Sequence, residues 1–277
     1  MSVKKKKSFY EINPFCYAIS KQKEIIKRLL KDFFSKEKFA KEIKKDKLTN
    51  VVYEHSSNII KKGKGIDITL QENKGVNLKI ASNKINGMVI HPGEVFSFWK
   101  TVGHASRRKG YKAGRVISKK GLNPGVGGGL CNLANTINLL ILHSPLEIVE
   151  LHKHSDALAP DEGKRVPFSS GTSVSYNYVD YRFKNNTEKD VQLLLWCEKG
   201  KLYGELRSEK EFPYSYELVE EDHHFQKEGD KYYRVSKIYR QVTDKKTGNI
   251  VDKELIWDNH SLVMFDYDLI PKDLLRV

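Results

Sequence analysis

The strongest chemical signal in the chain is the segment Gly127-Gly128-Gly129-Leu130-Cys131-Asn132. Three successive glycines occur where backbone must bend sharply or approach another group closely. Beyond them Ala134, Ile137, Leu140 and Ile141 recur at helical spacing, so a helix runs from Leu130 to His143 and ends before Pro145. Cys131 then lies in the first turn, where the helix dipole and free N–H groups favour a thiolate, the nucleophilic form of cysteine. The amides from Gly128 to Asn132 are placed to receive an oxyanion, or to hold a carboxylate or phosphate.

A nucleophile needs a base and a group that orients it. His152 and His154 lie two apart on an expected strand and share a face. Asp156 is near them in sequence, and Asp180 lies on a later expected strand with Tyr176, Tyr178 and Arg182. The residues alone leave both choices open. Other chemistries have weaker signals. The glycine loop lacks the Gly-Lys-Ser/Thr ending of a nucleotide loop. Cys131, His152 and His154 have no second cysteine pair to complete a zinc set, so neither a metal nor a cofactor is expected. A free cysteine is also commonly just a small buried hydrophobe.

The elements that must position these groups alternate in type. Residues 8–46 read as mostly helical. Ile66–Leu70 and Val95–Trp99 alternate like strands, and Val76–Ala81 fits a helix or a strand. Leu146–His152 is an expected strand. Val174–Phe183, Val191–Cys197 and Leu202–Leu206 form an expected antiparallel meander, and Tyr232–Thr243 pairs with Ile250–Trp257 across a polar turn. The expected class is α+β: an antiparallel sheet packed on a central helix that follows the Gly-rich loop, with a helical N-terminal appendage. The expected divisions are a basic helical segment (1–48), an α+β core (49–210) and a β-hairpin extension packing on it (211–277).

Charge is distributed unevenly along the 277 residues. Residues 1–47 hold 14 Lys and one Arg against six acidic residues, and so carry +9 of the net +14. Within them Ile26, Leu29, Leu30, Phe33 and Phe34 recur at helical spacing, with Lys23, Lys27, Lys31 and Lys38 on other faces. Such amphipathicity commonly packs the apolar face on a core. The second reading is a basic helix on an anionic membrane or an acidic partner. No zinc-finger or RNP pattern is present, so nucleic acid is not an expected partner. Apolar runs such as Leu139–Leu142 are far below a membrane span. Lys4–Lys7 are followed by Ser8-Phe9-Tyr10-Glu11, which is no leader core. Three scattered cysteines suit a reducing, cytoplasmic setting, membrane-peripheral on the second reading of the basic segment.

Taken together, Gly127–Cys131, Leu142–Leu146, His154-Ser155, Val166-Pro167-Phe168 and Tyr176–Asp180 resemble the VanW family. The likeness extends upstream through Gln71–Lys74 and Pro92–Trp99, and downstream through His224-Phe225, Tyr232–Arg234 and Ile238–Arg240, about residues 50–268 in all. Asn132 stands where the family usually has Gln, and Ser169 where it usually has Gly. The resemblance implies an accessory role in cell-wall and glycopeptide-resistance biology, with precursors ending in D-Ala-D-Ala or D-Ala-D-Lac as the chemical setting. Within it, one hypothesis is a cysteine hydrolase or acyltransferase acting on an amide or ester of a peptidoglycan-related substrate. Cys131 attacks, His154 takes the proton and Asp180 holds the imidazole. Gly127, Gly128, Gly129, Asn132, His152, Ser155, Asp156, Arg165 and Tyr178 line the site. The alternative is a non-catalytic module that binds a carboxylate- or phosphate-bearing cell-wall precursor, small molecule or peptide, or a partner protein. Peripheral association with anionic membrane through residues 1–47 is the third.

Overall fold

The computed structural model describes residues 8–60, 67–118, 121–153, 156–157, 160, 166–168 and 171–276. It contains helices α1 (Pro14–Phe34), α2 (Ile68–Ile85), α3 (Phe98–Val102) and α4 (Leu130–Leu142). The strands are β1 (Asn50–Asn58), β2 (Met88–Ile90), β3 (Val95–Ser97), β4 (Ala113–Ser118), β5 (Gly121–Val126), β6 (Glu147–Glu150), β7 (Asp156–Ala157) and β8 (Arg182–Lys184). They continue with β9 (Val191–Glu198), β10 (Lys201–Ser208), β11 (Tyr214–Glu228), β12 (Lys231–Asp244), β13 (Ile250–Val263) and β14 (Leu275–Arg276). The architecture is α+β.

One sheet has the order β1-β10-β9-β2, and a second the order β14-β11-β12-β13-β7. Smaller sheets are β3-β8-β6 and the hairpin β4-β5. Pairing is antiparallel except where the short β14 and β7 join their neighbours. α4 is the centre of the molecule. Eleven of its 13 residues are buried, the polar Asn135, Thr136 and Asn138 among them, so the helix is enclosed on nearly every side. It contacts β1 and β10 on one side and α2 on another. Gly204 in β10 permits this approach, because a Cβ there would lie 3.0–3.1 Å from Thr136, Leu140 and Leu195. The second sheet closes over α4 through a cluster of Leu139, Leu142, Phe168 and Ile238.

Several local expectations are corrected. Over residues 66–70, Ile66 lies outside the described residues, and α2 begins at Ile68 instead of a strand. The Asp67 side chain accepts from the Leu70 amide, and this cap overrides the alternating pattern. Val95–Trp99 is a strand only to Ser97, whose hydroxyl then caps α3 by accepting from Lys100. Val174–Phe183 does not run as a strand. Asn177 adopts φ 48° and the chain folds back, with the Ser175 amide donating to the Val179 carbonyl; only Arg182–Lys184 pairs. Asparagine tolerates this left-handed conformation better than most residues. The N-terminal helix ends at Phe34, and the following segment is extended, bridging Phe39 to Val95 and Ile43 to Met88.

Candidate functional site

Close packing accounts for the three glycines, with positive φ at Gly127 and Gly129. A Cβ at Gly128 would lie 2.2 Å from the Gly114 carbonyl carbon, and one at Gly129 (φ +96°) would lie 2.2 Å from the Lys74 side chain. The Asn77 amide fastens the loop by donating to the Lys112 and Gly128 carbonyls and accepting from the Lys112 amide. Two of the expected anion-holding amides are already spent: Gly128 N–H donates to Gly125 and Asn132 N–H to Gly129.

Cys131 opens α4 in a half-buried position. Its sulfur lies 3.8 Å from the Val174 carbonyl oxygen, to which the thiol donates. Burial pushes the thiol up from its ordinary value, outweighing the backbone groups that act the other way. The helix dipole acts with the opposite sign, and desolvation is larger. Asn132 Oδ1 is buried with no hydrogen-bond partner among the described residues.

Asp180 is fully buried and its carboxylate is taken up by four donors. Oδ1 accepts from the Trp99 and Tyr181 amides at 3.0 and 2.9 Å. Oδ2 accepts from Ser97 Oγ at 2.6 Å and Arg182 Nε at 2.7 Å. The Asp180 amide donates to Glu150, and His152 Nε2 lies 2.9 Å from the same Glu150 oxygen. Among the described residues no hydrogen bond joins Cys131 to His152 or Asp180. His154, Ser155 and Arg165 lie outside the described residues. Asp156 lies in β7, paired with the second sheet at Leu262. The Tyr178 hydroxyl lies 3.5 Å from that of Tyr17 in α1, and this contact pushes Tyr17 up to about 12.

Asp180 belongs to a group of charges that the sequence did not mark as a unit. Arg28 of α1 grips Glu150 through two 2.6 Å bonds, and Arg182 grips Asp32 of α1 through bonds of 2.7 and 2.8 Å. Lys100 lies 3.4 Å from Asp32, and Arg182 Nε 3.7 Å from Glu150. Three cations thus meet three carboxylates in a largely buried setting. Burial acts to raise Asp32 and Glu150, but the guanidinium hydrogen bonds outweigh it and both lie below their ordinary values. The only sequence signal was Arg28 and Asp32 four apart on one helix.

An open cleft of about 720 Å³ lies elsewhere, between β1 and β11. Tyr53 and His143 stack in its wall, with rings 3.7 Å apart and 1° from parallel, and Phe212, Tyr214 and Tyr216 add aromatic surface. His143 Nδ1 lies 2.8 Å from the Leu139 carbonyl, which can only accept, so Nδ1 carries the proton and Nε2 is an acceptor. Burial keeps His143 below the usual histidine value, and Tyr53 above its own. Among the described residues, both strands beside the cleft are paired on one side only over the lining stretch: β1 with β10, and residues 214–221 of β11 with β12. Among the described residues no cluster of His, Cys, Asp or Glu is able to hold a metal ion, and no helix is long and apolar enough to cross a membrane.

The geometry defines an α+β protein with an enclosed core helix, an aromatic cleft between two sheets and an N-terminal helix held by charge. Residues 73–207, from α2 into β10, match the family model described as VanW like protein, and the chain belongs to the VanW family. It is 27% identical over 227 residues, 82% of each chain, to the vancomycin B-type resistance protein VanW of Enterococcus faecalis. It is also 31% identical over 128 residues to the uncharacterized protein YoaR of Bacillus subtilis, covering 46% of this chain and 39% of that one. No solved structure matches.

Proposed function

We propose that the protein is an accessory factor of vancomycin resistance that binds an extended peptide, of the kind carried by cell-wall precursors, in the cleft between β1 and β11. Binding proceeds without covalent chemistry at Cys131. The observation that carries this reading is the cleft itself: a stacked Tyr53–His143 pair in its wall, beside two strands that each keep one edge unpaired among the described residues. An extended peptide supplies the matching backbone donors and acceptors, and its side chains meet the aromatic surface. The family relationship supplies the biological setting. The three free thiols favour the cytoplasmic side. The reading differs from a cysteine hydrolase because the Cys131 thiol is raised and Asp180 is occupied in holding α3 and Arg182.

Calorimetric titration with acyl-Lys-D-Ala-D-Ala and its D-Lac counterpart tests it. The expectation is saturable binding of at least one, weakened at least tenfold by Tyr53→Ala and unchanged by Cys131→Ser. Cleavage of either probe that disappears with Cys131→Ser, or absence of binding to both, overturns it.

A further inference from the structure

α1 is turned inside out. Its core-facing side carries Arg28 and Asp32, both ion-paired, with Tyr17 against Tyr178. Only Cys16, Ile25 and Asp32 of its 21 residues are buried. Its large apolar residues other than Ile25 point away from the molecule. Phe15, Ile19, Ile26, Leu30 and Phe33 are spaced by four, seven, four and three residues, which places them in one stripe along a helix about 30 Å long. Phe33 is 80% exposed, Phe34 77% and Phe15 72%, with Leu29 beside them. Lys23, Lys27 and Lys31, four apart and exposed, form a row next to the stripe; Lys27 also reaches Glu24 at 3.0 Å. An apolar stripe of this extent in water needs a cover.

We infer that α1 is a membrane-docking helix whose Phe/Ile/Leu stripe enters the surface of an anionic bilayer while the Arg28–Glu150 and Asp32–Arg182 pairs hold the globular part behind it. Charge complementarity favours lipid over a second copy of the chain or an apolar protein groove. The stripe is flanked by lysines, and residues 1–47 carry +9 in sequence, a charge that a second copy repels and an anionic surface attracts. Depth is limited to the interface, since the helix also carries charge along its length and its inner face is committed to the core. The inference is independent of what the cleft binds.

Flotation of the full chain with vesicles of phosphatidylcholine containing about one-third phosphatidylglycerol reads this directly. The expected result is vesicle-bound protein, with at least tenfold less on pure phosphatidylcholine and at least tenfold less for the double variant Leu30→Glu/Phe33→Glu. Both positions are exposed, and an unchanged melting temperature shows that the variant is folded. An Ile26→Trp variant supplies a second reading, an emission blue shift on the anionic vesicles. Equal flotation of the Glu variant, no flotation on either vesicle, or concentration-dependent dimerisation abolished by the same Glu substitutions overturns the inference, the last in favour of a second copy.

Discussion

α4 and α1 are both helices rich in large apolar residues, and the protein uses them in opposite ways. α4 is enclosed, with its leucines and isoleucines against β1, β10, α2 and the second sheet. α1 faces the core with charge and leaves Phe15, Phe33 and Phe34 outside. The difference lies in what each helix meets. α4 meets apolar sheet faces. α1 meets Glu150, Arg182 and Lys100, a surface that is satisfied only by opposite charge. Helical periodicity therefore reports that two faces differ; the partner surface decides which one turns inward.

The sharpest way to break the comparison is to remove the centre of the α1 clamp. Arg182→Ala leaves Asp32 and Asp180 buried without their guanidinium and should cost about 3–5 kcal/mol in denaturant unfolding. A loss below 1 kcal/mol would mean that the pairs do not hold α1. The clamp also sets an acid limit. Asp32 and Glu150 lie below their ordinary values of 3.8 and 4.5, so their contribution is complete above those values and is lost as pH falls through the lower, folded ones. Melting temperature should accordingly fall below about pH 4, and Asp32→Asn should flatten part of that fall.

In α4 the corresponding loss is a cavity. Ile137→Ala, at a fully buried position, should cost about 2–5 kcal/mol. Asn138 sharpens the picture: both side-chain polar atoms are buried with no hydrogen-bond partner among the described residues, whereas Asn135 accepts from Thr172 and donates to the Phe168 carbonyl. Asn138→Leu, of similar shape, should stabilise the fold by about 1–3 kcal/mol, and Asn135→Leu should destabilise it. The smallest effect belongs to the outer face of α1. Phe33→Ser should change stability by no more than about 0.5 kcal/mol, because the side chain leaves almost no contact behind.

The same contrast explains what was legible in the sequence. α4 could be read because a helix so rich in leucine and isoleucine has to be enclosed, and its limits at Leu130 and before Pro145 were visible. The period of α1 was equally visible, but not its direction. Arg28 finds Glu150 across 122 residues and Asp32 finds Arg182 across 150, separations that no local pattern encodes. Val174–Phe183 failed as a strand because one left-handed residue, Asn177, reverses the chain. For Cys131, position in the helix could be read and burial could not, so the sign of its shift was hidden. The cleft depends on β1 and β11, more than 150 residues apart, and its Tyr53–His143 pair carried no motif.

The orientation of α1 is the claim on which the comparison rests, and thiol accessibility at its outer face tests it most directly. In a Phe33→Cys variant, iodoacetamide modification of residue 33, followed by peptide mass mapping, should proceed within about threefold of the rate in denaturant, as for an exposed thiol. Modification of an Ile137→Cys variant, measured alongside, should be at least a hundredfold slower. Equal protection at both positions would contradict the account, since the apolar face of α1 would then be buried like that of α4.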